Sequence, residues 1–335
     1  MREAVAKTCH VIVTGAVLLC AALGTDASAD PGEASAPRLV RQPYPSTTGQ
    51  ERDVYVYLPV GYDSDPARRW PLLLFLHGDG ERGDGKADLD WVTVHGPIYE
   101  AWTRKRDLPF VVVAPQLDLF GRDETVPYIK SRDASTIPRR QAEGVPPRPE
   151  EFPTPQPMTG ATVAADVPIG PEGPPDGWPR REQDFLTILD LALEDYRVDP
   201  RRVYLTGLSY GGFGTWYLAS RHARRFAAIA PVVGWGHPDL MPPLAERRVP
   251  IWVFAGGRDP VVPVRYFYPG LNKLEELGHK EMRFTVHEDM GHDTWARVYG
   301  GQDVYDWLLS HRLDADPPAS AAVEPAGETE VEQAR

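Results

Sequence analysis

Short, continuous runs of apolar residues recur along the chain, and stretches of helical period separate them. The runs are Asp53-Val54-Tyr55-Val56-Tyr57-Leu58, Pro71-Leu72-Leu73-Leu74-Phe75-Leu76, Phe110-Val111-Val112-Val113-Ala114, Val203-Tyr204-Leu205-Thr206, Phe226-Ala227-Ala228-Ile229-Ala230, Ile251-Trp252-Val253-Phe254-Ala255 and Met282-Arg283-Phe284-Thr285-Val286. Runs of four to six residues rich in β-branched and aromatic side chains predict buried strands. Helical patterns are predicted over residues 184–196, 213–222, 266–277 and 294–311. Buried strands alternating with helices imply a mostly parallel sheet of about eight strands with helices on both faces, an α/β architecture. Residues 30–50 read as a leader or a first edge strand, and residues 51–312 as the folded domain.

Three segments fall outside this rhythm. Residues 138–179 hold 12 prolines in 42 positions, with no helical or strand period over 142–177, and predict a loop insertion after the Val111 strand, either draped over one rim of the pocket or a plain surface excursion. Residues 313–335 are acidic, nearly free of large apolar side chains, and predict a solvated tail. The first 29 residues carry Arg2 and Lys7, an apolar run from Val11 to Leu23 and the small-residue site Ala27-Ser28-Ala29, the pattern of a signal peptide cleaved after Ala29. A membrane anchor is the alternative, but the run is short of the roughly 20 residues a bilayer span needs. The expected protein is therefore secreted or periplasmic, with no stable membrane insertion.

Composition narrows the chemistry. Both cysteines, Cys9 and Cys20, lie in the expected signal segment, so the mature chain offers no disulfide, thiolate nucleophile or Cys-ligated metal. A net charge of −12 gives no electrostatic reason to bind nucleic acid or anionic lipid.

The strongest motif is Gly207-Leu208-Ser209-Tyr210-Gly211, which follows a predicted strand and opens a predicted helix. That is the context of a nucleophile elbow, where glycine-sized neighbours let a strained turn close around the serine. A serine hydroxyl is a weak nucleophile, so a base and a group to orient that base must follow. Asp259 lies at the end of the Ile251 strand, and His292 in the loop after the Met282 strand, so Ser209, Asp259 and His292 form the candidate triad. His287 reads as a strand residue, His222, His279 and His311 as helix-surface residues, and His237 remains a rival base. Asp289 and Asp293 are too near His292 along the chain to reach its far ring nitrogen easily. Oxyanion donors are expected from the Tyr210 N–H and from the loop His77-Gly78-Asp79-Gly80-Glu81-Arg82-Gly83, with the Asp79 N–H first and Gly80 next. His77 reads as a structural residue ordering that loop. Gly80, Glu81, Trp235 and Trp295 are candidate pocket residues. No metal ligand set and no cofactor motif is found.

With these blocks, together with Ala114-Pro115-Gln116 and Gly291-His292-Asp293-Thr294-Trp295, the chain resembles the α/β-hydrolase superfamily, within it the prolyl-oligopeptidase-like and dienelactone-hydrolase-like secreted bacterial esterases and predicted peptidases. The resemblance implies a serine hydrolase of carboxylic esters acting on a small-molecule or polymer-borne ester, with a peptidase, or a non-catalytic binding protein on the same fold, as competing readings. The family usually carries a small apolar residue where this chain has Asp79, a departure expected to alter the polarity of the oxyanion hole.

Overall fold

Alternation along the strands divides the core in two. In the computed structural model, which describes residues 35–144, 164 and 166–314, Leu72, Leu74, Leu76, Val111, Val113, Val203 and Leu205 point into one buried cluster. Their neighbours Leu73, Phe75, Val112, Ala114, Tyr204 and Leu208 point into the other. Successive side chains of a strand face opposite sides, so a run apolar at every position must be covered on both faces. The helices Glu182–Asp195, Tyr210–Arg221 and Tyr268–Glu276 supply residues to the first cluster, and Trp295–Gly300 and Asp303–Leu309 to the second.

The strands are β1 (Arg38–Pro45), β2 (Glu51–Leu58), β3 (Trp70–Leu76), β4 (Val111–Ala114), β5 (Val198–Leu208), β6 (Ala228–Val232), β7 (Ile251–Gly256) and β8 (Met282–His287), in the order β1-β2-β4-β3-β5-β6-β7-β8. β2 runs antiparallel to both β1 and β4, and the remaining pairs are parallel. The expected mostly parallel, two-sided sheet is present. The β3–β5 and β5–β6 pairings bring the carboxyl ends of three central strands together, where open α/β sheets place their sites.

Several boundaries differ from expectation for local reasons. β1 is an edge strand paired along its whole length with β2, from Arg38 opposite Leu58 to Pro45 opposite Glu51. β6 starts two residues later than its apolar run and continues through Pro231, which sits opposite Gly207. The single helix expected over 294–311 is two helices, broken at Gly300-Gly301, where Gly301 turns extended with φ −80° and ψ 177°. Glycine is a poor helix former, and a pair of them ends the first helix.

The expected signal segment lies outside the described residues. So do residues 145–163 and 165 of the insertion and residues 315–335 of the tail. The described start of the tail is tied down, because the Leu313 N–H donates to the Arg201 carbonyl. The chain just after the insertion is also anchored. Arg181 forms a two-point ion pair with Asp118 (2.6 and 2.7 Å), and Arg180 lies 4.0 Å over the Phe120 ring. No helix among the described residues is long and apolar enough to cross a membrane.

Candidate active site

Ser209 joins β5 to the helix Tyr210–Arg221 with φ 52° and ψ −116°, a conformation that strains a residue bearing a Cβ. The flanking glycines are steric requirements. A Cβ on Gly207 would fall 2.3 Å from the Gly211 carbonyl oxygen, and one on Gly211 would fall 1.8 Å from that of Leu76. The Ser209 N–H donates to the Val232 carbonyl at 3.0 Å, which pins the turn to the end of β6.

The Ser209 hydroxyl lies 3.0 Å from His292 Nε2, and His292 Nδ1 lies 2.8 Å from Asp259 Oδ2. Asp259 comes from the loop after β7, and its side chain is fully buried. Its other oxygen, Oδ1, accepts the N–H groups of Val261 (2.8 Å) and Val262 (2.9 Å). Burial pushes the Asp259 carboxyl up, but the hydrogen bonds from His292 and the two amides outweigh it and hold the group below its ordinary value. An ionised Asp259 favours the His292 tautomer that donates from Nδ1, in which Nε2 can accept the serine proton.

The rival groups have other partners. Asp289 is held by Arg297 through two 2.6 Å bonds, which lower it to about 2, and Asp293 is exposed. His237 Nδ1 accepts the Asp239 N–H and caps a short turn, and His222 pairs with Glu182. His287 is buried in β8, stacked on Phe254. His279 differs from its reading as a surface residue: it follows a helix C-terminus and is buried.

The loop after β3 lies against the elbow. A Cβ on Gly78 would come 3.6 Å from the Ser209 Cβ and 2.7 Å from a Leu208 methyl. His77 orders this loop, donating from Nδ1 to the Gly78 carbonyl (2.6 Å) and accepting the Leu117 N–H at Nε2 (2.8 Å). Asp79 opens the turn Asp79–Glu81, and Tyr210 opens its helix, so the N–H of each stands at a first position with no partner inside its own turn.

Trp235, expected at the pocket, is 4% exposed and enclosed by Phe213, Tyr266 and Phe267, with ring centroids 4.8, 5.0 and 6.4 Å away. It is a core residue: the Gly234-Trp235-Gly236 sequence reads as an open loop but folds beneath an aromatic cluster. Trp295 is half-buried, with its ring 5.1 Å from His292 and perpendicular to it, and 5.5 Å from His95. Glu81 is buried, one oxygen 2.5 Å from His95 Nδ1 and the other beside Gly78. Gly80 is half-buried and its carbonyl accepts from Arg132. The sequence reading missed Arg122 and Tyr128, which bind Asp79 from the short helices Arg122–Thr125 and Pro127–Lys130. Pro127 at a helix start was the available signal.

Burial lowers both His77 and His287 to about 4, so each is neutral in the folded chain where the unfolded chain would begin to protonate near 6.5. Between those values the unfolded state binds more protons, and stability is lost as the pH falls. The melting temperature is expected to drop steadily from pH 6.5 to 4, and less steeply in His287→Leu. A flat profile over that range would contradict this reading.

The sheet order, the reversed β2 and the strained serine between β5 and its helix define the α/β-hydrolase fold. Residues 180–242, which span β5, the elbow and the following helix, match the prolyl oligopeptidase family. Over 76 residues the chain is 38% identical to a bifunctional acetylxylan esterase/xylanase of Neocallimastix patriciarum, a match covering 22% of this chain and 11% of that protein. Over 52 residues it is 40% identical to dipeptidyl-peptidase 5 of Porphyromonas gingivalis, covering 16% and 8%. The matched stretches thus span about a tenth of the length of these curated relatives. Among solved structures, a thermostable esterase superposes with a TM-score of 0.54 at 24% identity, covering 82% of this chain and 63% of that one. The feruloyl esterase module from Clostridium thermocellum superposes with a TM-score of 0.50 at 16% identity, covering 82% and 88%.

Proposed function

We propose that this chain is an exported serine hydrolase that cleaves carboxylic esters through an acyl-enzyme. The observation that carries the reading is the unbroken line from the Ser209 hydroxyl through His292 to buried Asp259, set beside a strained elbow. Ser209 Oγ adds to the ester carbonyl carbon as its proton passes to His292 Nε2, and Asp259 stabilises the imidazolium. The carbonyl electrons move onto oxygen, where the N–H groups of Tyr210 and Asp79 receive the negative charge. Collapse of the intermediate expels the alkoxide, which takes the proton from Nε2. Water then repeats the sequence to release the acid and restore Ser209. This reaction needs no metal or organic cofactor.

A peptidase on the same residues is the second reading, favoured by the prolyl oligopeptidase match over 180–242. A panel of short-chain p-nitrophenyl esters against p-nitroanilide peptides separates the two. The ester reading expects kcat/KM for the best ester to exceed that for any peptide amide by at least about 100-fold. Comparable or faster amide cleavage transfers the assignment to a peptidase.

Export is proposed from the N-terminal pattern alone. N-terminal sequencing of protein recovered outside the cytoplasm is expected to begin at Asp30. Met1 retained on soluble active protein would reverse that.

A further inference from the structure

The side chain of Asp79, which breaks the pattern of the resembled family, is almost fully buried and has three partners. Its Oδ1 accepts from Arg82 Nε at 2.5 Å, and its Oδ2 accepts from Arg122 Nη2 (2.6 Å), Arg122 Nε (3.1 Å) and the Tyr128 hydroxyl. The same two guanidinium groups lie over the ring of Tyr210, Arg82 at 4.8 Å and Arg122 at 5.2 Å from its centroid. Residues 79 and 210 follow different strands, β3 and β5, and they are also the two whose N–H groups are assigned to the oxyanion. One pair of cations therefore clasps the side chains of both donors. Arg122 and Tyr128 reach in from the stretch after β4, and Arg132 of that stretch donates to the Gly80 (2.8 Å) and Arg82 (2.6 Å) carbonyls.

We propose that Arg122 is a positioning residue of the oxyanion hole: with Arg82 it ties the Asp79 carboxylate to the Tyr210 ring and so holds the two backbone donors at one spacing. This rests on the assignment of those two amides under the proposed hydrolase reaction. An oxyanion hole works by presenting preorganised donors at the place where charge develops, and a misplacement of about 1 Å can cost on the order of 100-fold. A guanidinium suits the task because its planar fork can grip a carboxylate at two points while its face stacks on an aromatic ring; an ammonium is a point charge with neither the fork nor the flat face. Two cations facing one carboxylate also leave positive charge beside the site that receives the oxyanion.

The test uses the full mature chain with Arg122→Ala, Arg122→Lys and Tyr128→Phe. Each is assayed on p-nitrophenyl butyrate and with a trifluoromethyl ketone, which captures Ser209 Oγ as a hemiketal whose oxygen occupies the oxyanion position. Arg122→Ala is expected to lower kcat by about 30-fold with KM within about threefold, and to weaken the ketone by the same factor as kcat/KM. Arg122→Lys should recover only a small part of the loss, and Tyr128→Phe should lower kcat by about threefold at an unchanged melting temperature. Unchanged kcat and ketone affinity in Arg122→Ala, or a change in KM alone, would overturn the proposal. If Arg122→Ala fails to fold, wild-type values in both Arg122→Lys and Tyr128→Phe would overturn it equally. Fluorophosphonate labelling of the wild-type chain separates the two levels. A labelled Ser209 with unaffected variants removes only the positioning role, and an unlabelled Ser209 removes the hydrolase reading and this proposal together.

Discussion

Replacing Ser209 or His292 by alanine is expected to lower kcat on an activated ester by about 10³-fold or more, and replacing either one is expected to cost nearly as much as replacing both. In the proposed mechanism the two act as a unit: Ser209 becomes a nucleophile only as His292 Nε2, 3.0 Å away, takes its proton, and that base has no use without the hydroxyl. Asp259→Asn should cost somewhat less. The amide keeps the size of the carboxylate and can still meet the Val261 and Val262 amides, but it offers no charge to the imidazolium and can favour the wrong tautomer. All three variants should melt near the wild-type temperature. Full activity in Ser209→Ala would refute the mechanism.

The second large effect is on folding. Gly211→Ala is expected to cost about 3 kcal/mol or more, because its Cβ would fall 1.8 Å from the carbonyl oxygen of Leu76, a backbone atom at the end of strand β3 that is held by its pairing with β5. In a domain of this size that corresponds to a fall of roughly 6–12 °C in melting temperature. Activity should fall further than stability, since any backbone shift that relieves the clash moves Ser209 and the Tyr210 N–H together. Calorimetry of the variant beside Gly49→Ala, where φ is +75° but a Cβ meets nothing within 4 Å, compares the clash at Gly211, which has no positive φ, with backbone strain alone. Equal melting temperatures for the two variants would contradict the steric account.

The parts of this site that could be read along the chain are those set by local constraint. The elbow was legible because a strained turn demands small residues at fixed offsets from the serine. Asp259 and His292 were legible because each lies in the loop that follows a run of strand pattern, and strand ends converge in a parallel sheet. The clamp on Asp79 was not. Arg122 and Tyr128 lie 43 and 49 residues further on, in four-residue helices too short to show a period, and only the folded chain brings them to the loop. Trp235 was misplaced for the opposite reason: flanking glycines suggest an exposed turn, whereas here a Cβ on Gly236 would strike Met241 and Trp216. The helix break at Gly300-Gly301 was visible in the residues but hidden by an apolar period that continues across it.

The most direct measurement is fluorophosphonate labelling of the purified protein followed by peptide mapping. One adduct per chain is expected, on the Ser209 hydroxyl, formed at a rate that falls at least about 100-fold in His292→Ala. An adduct on another residue, or an unmodified Ser209 in well-folded protein, would contradict it.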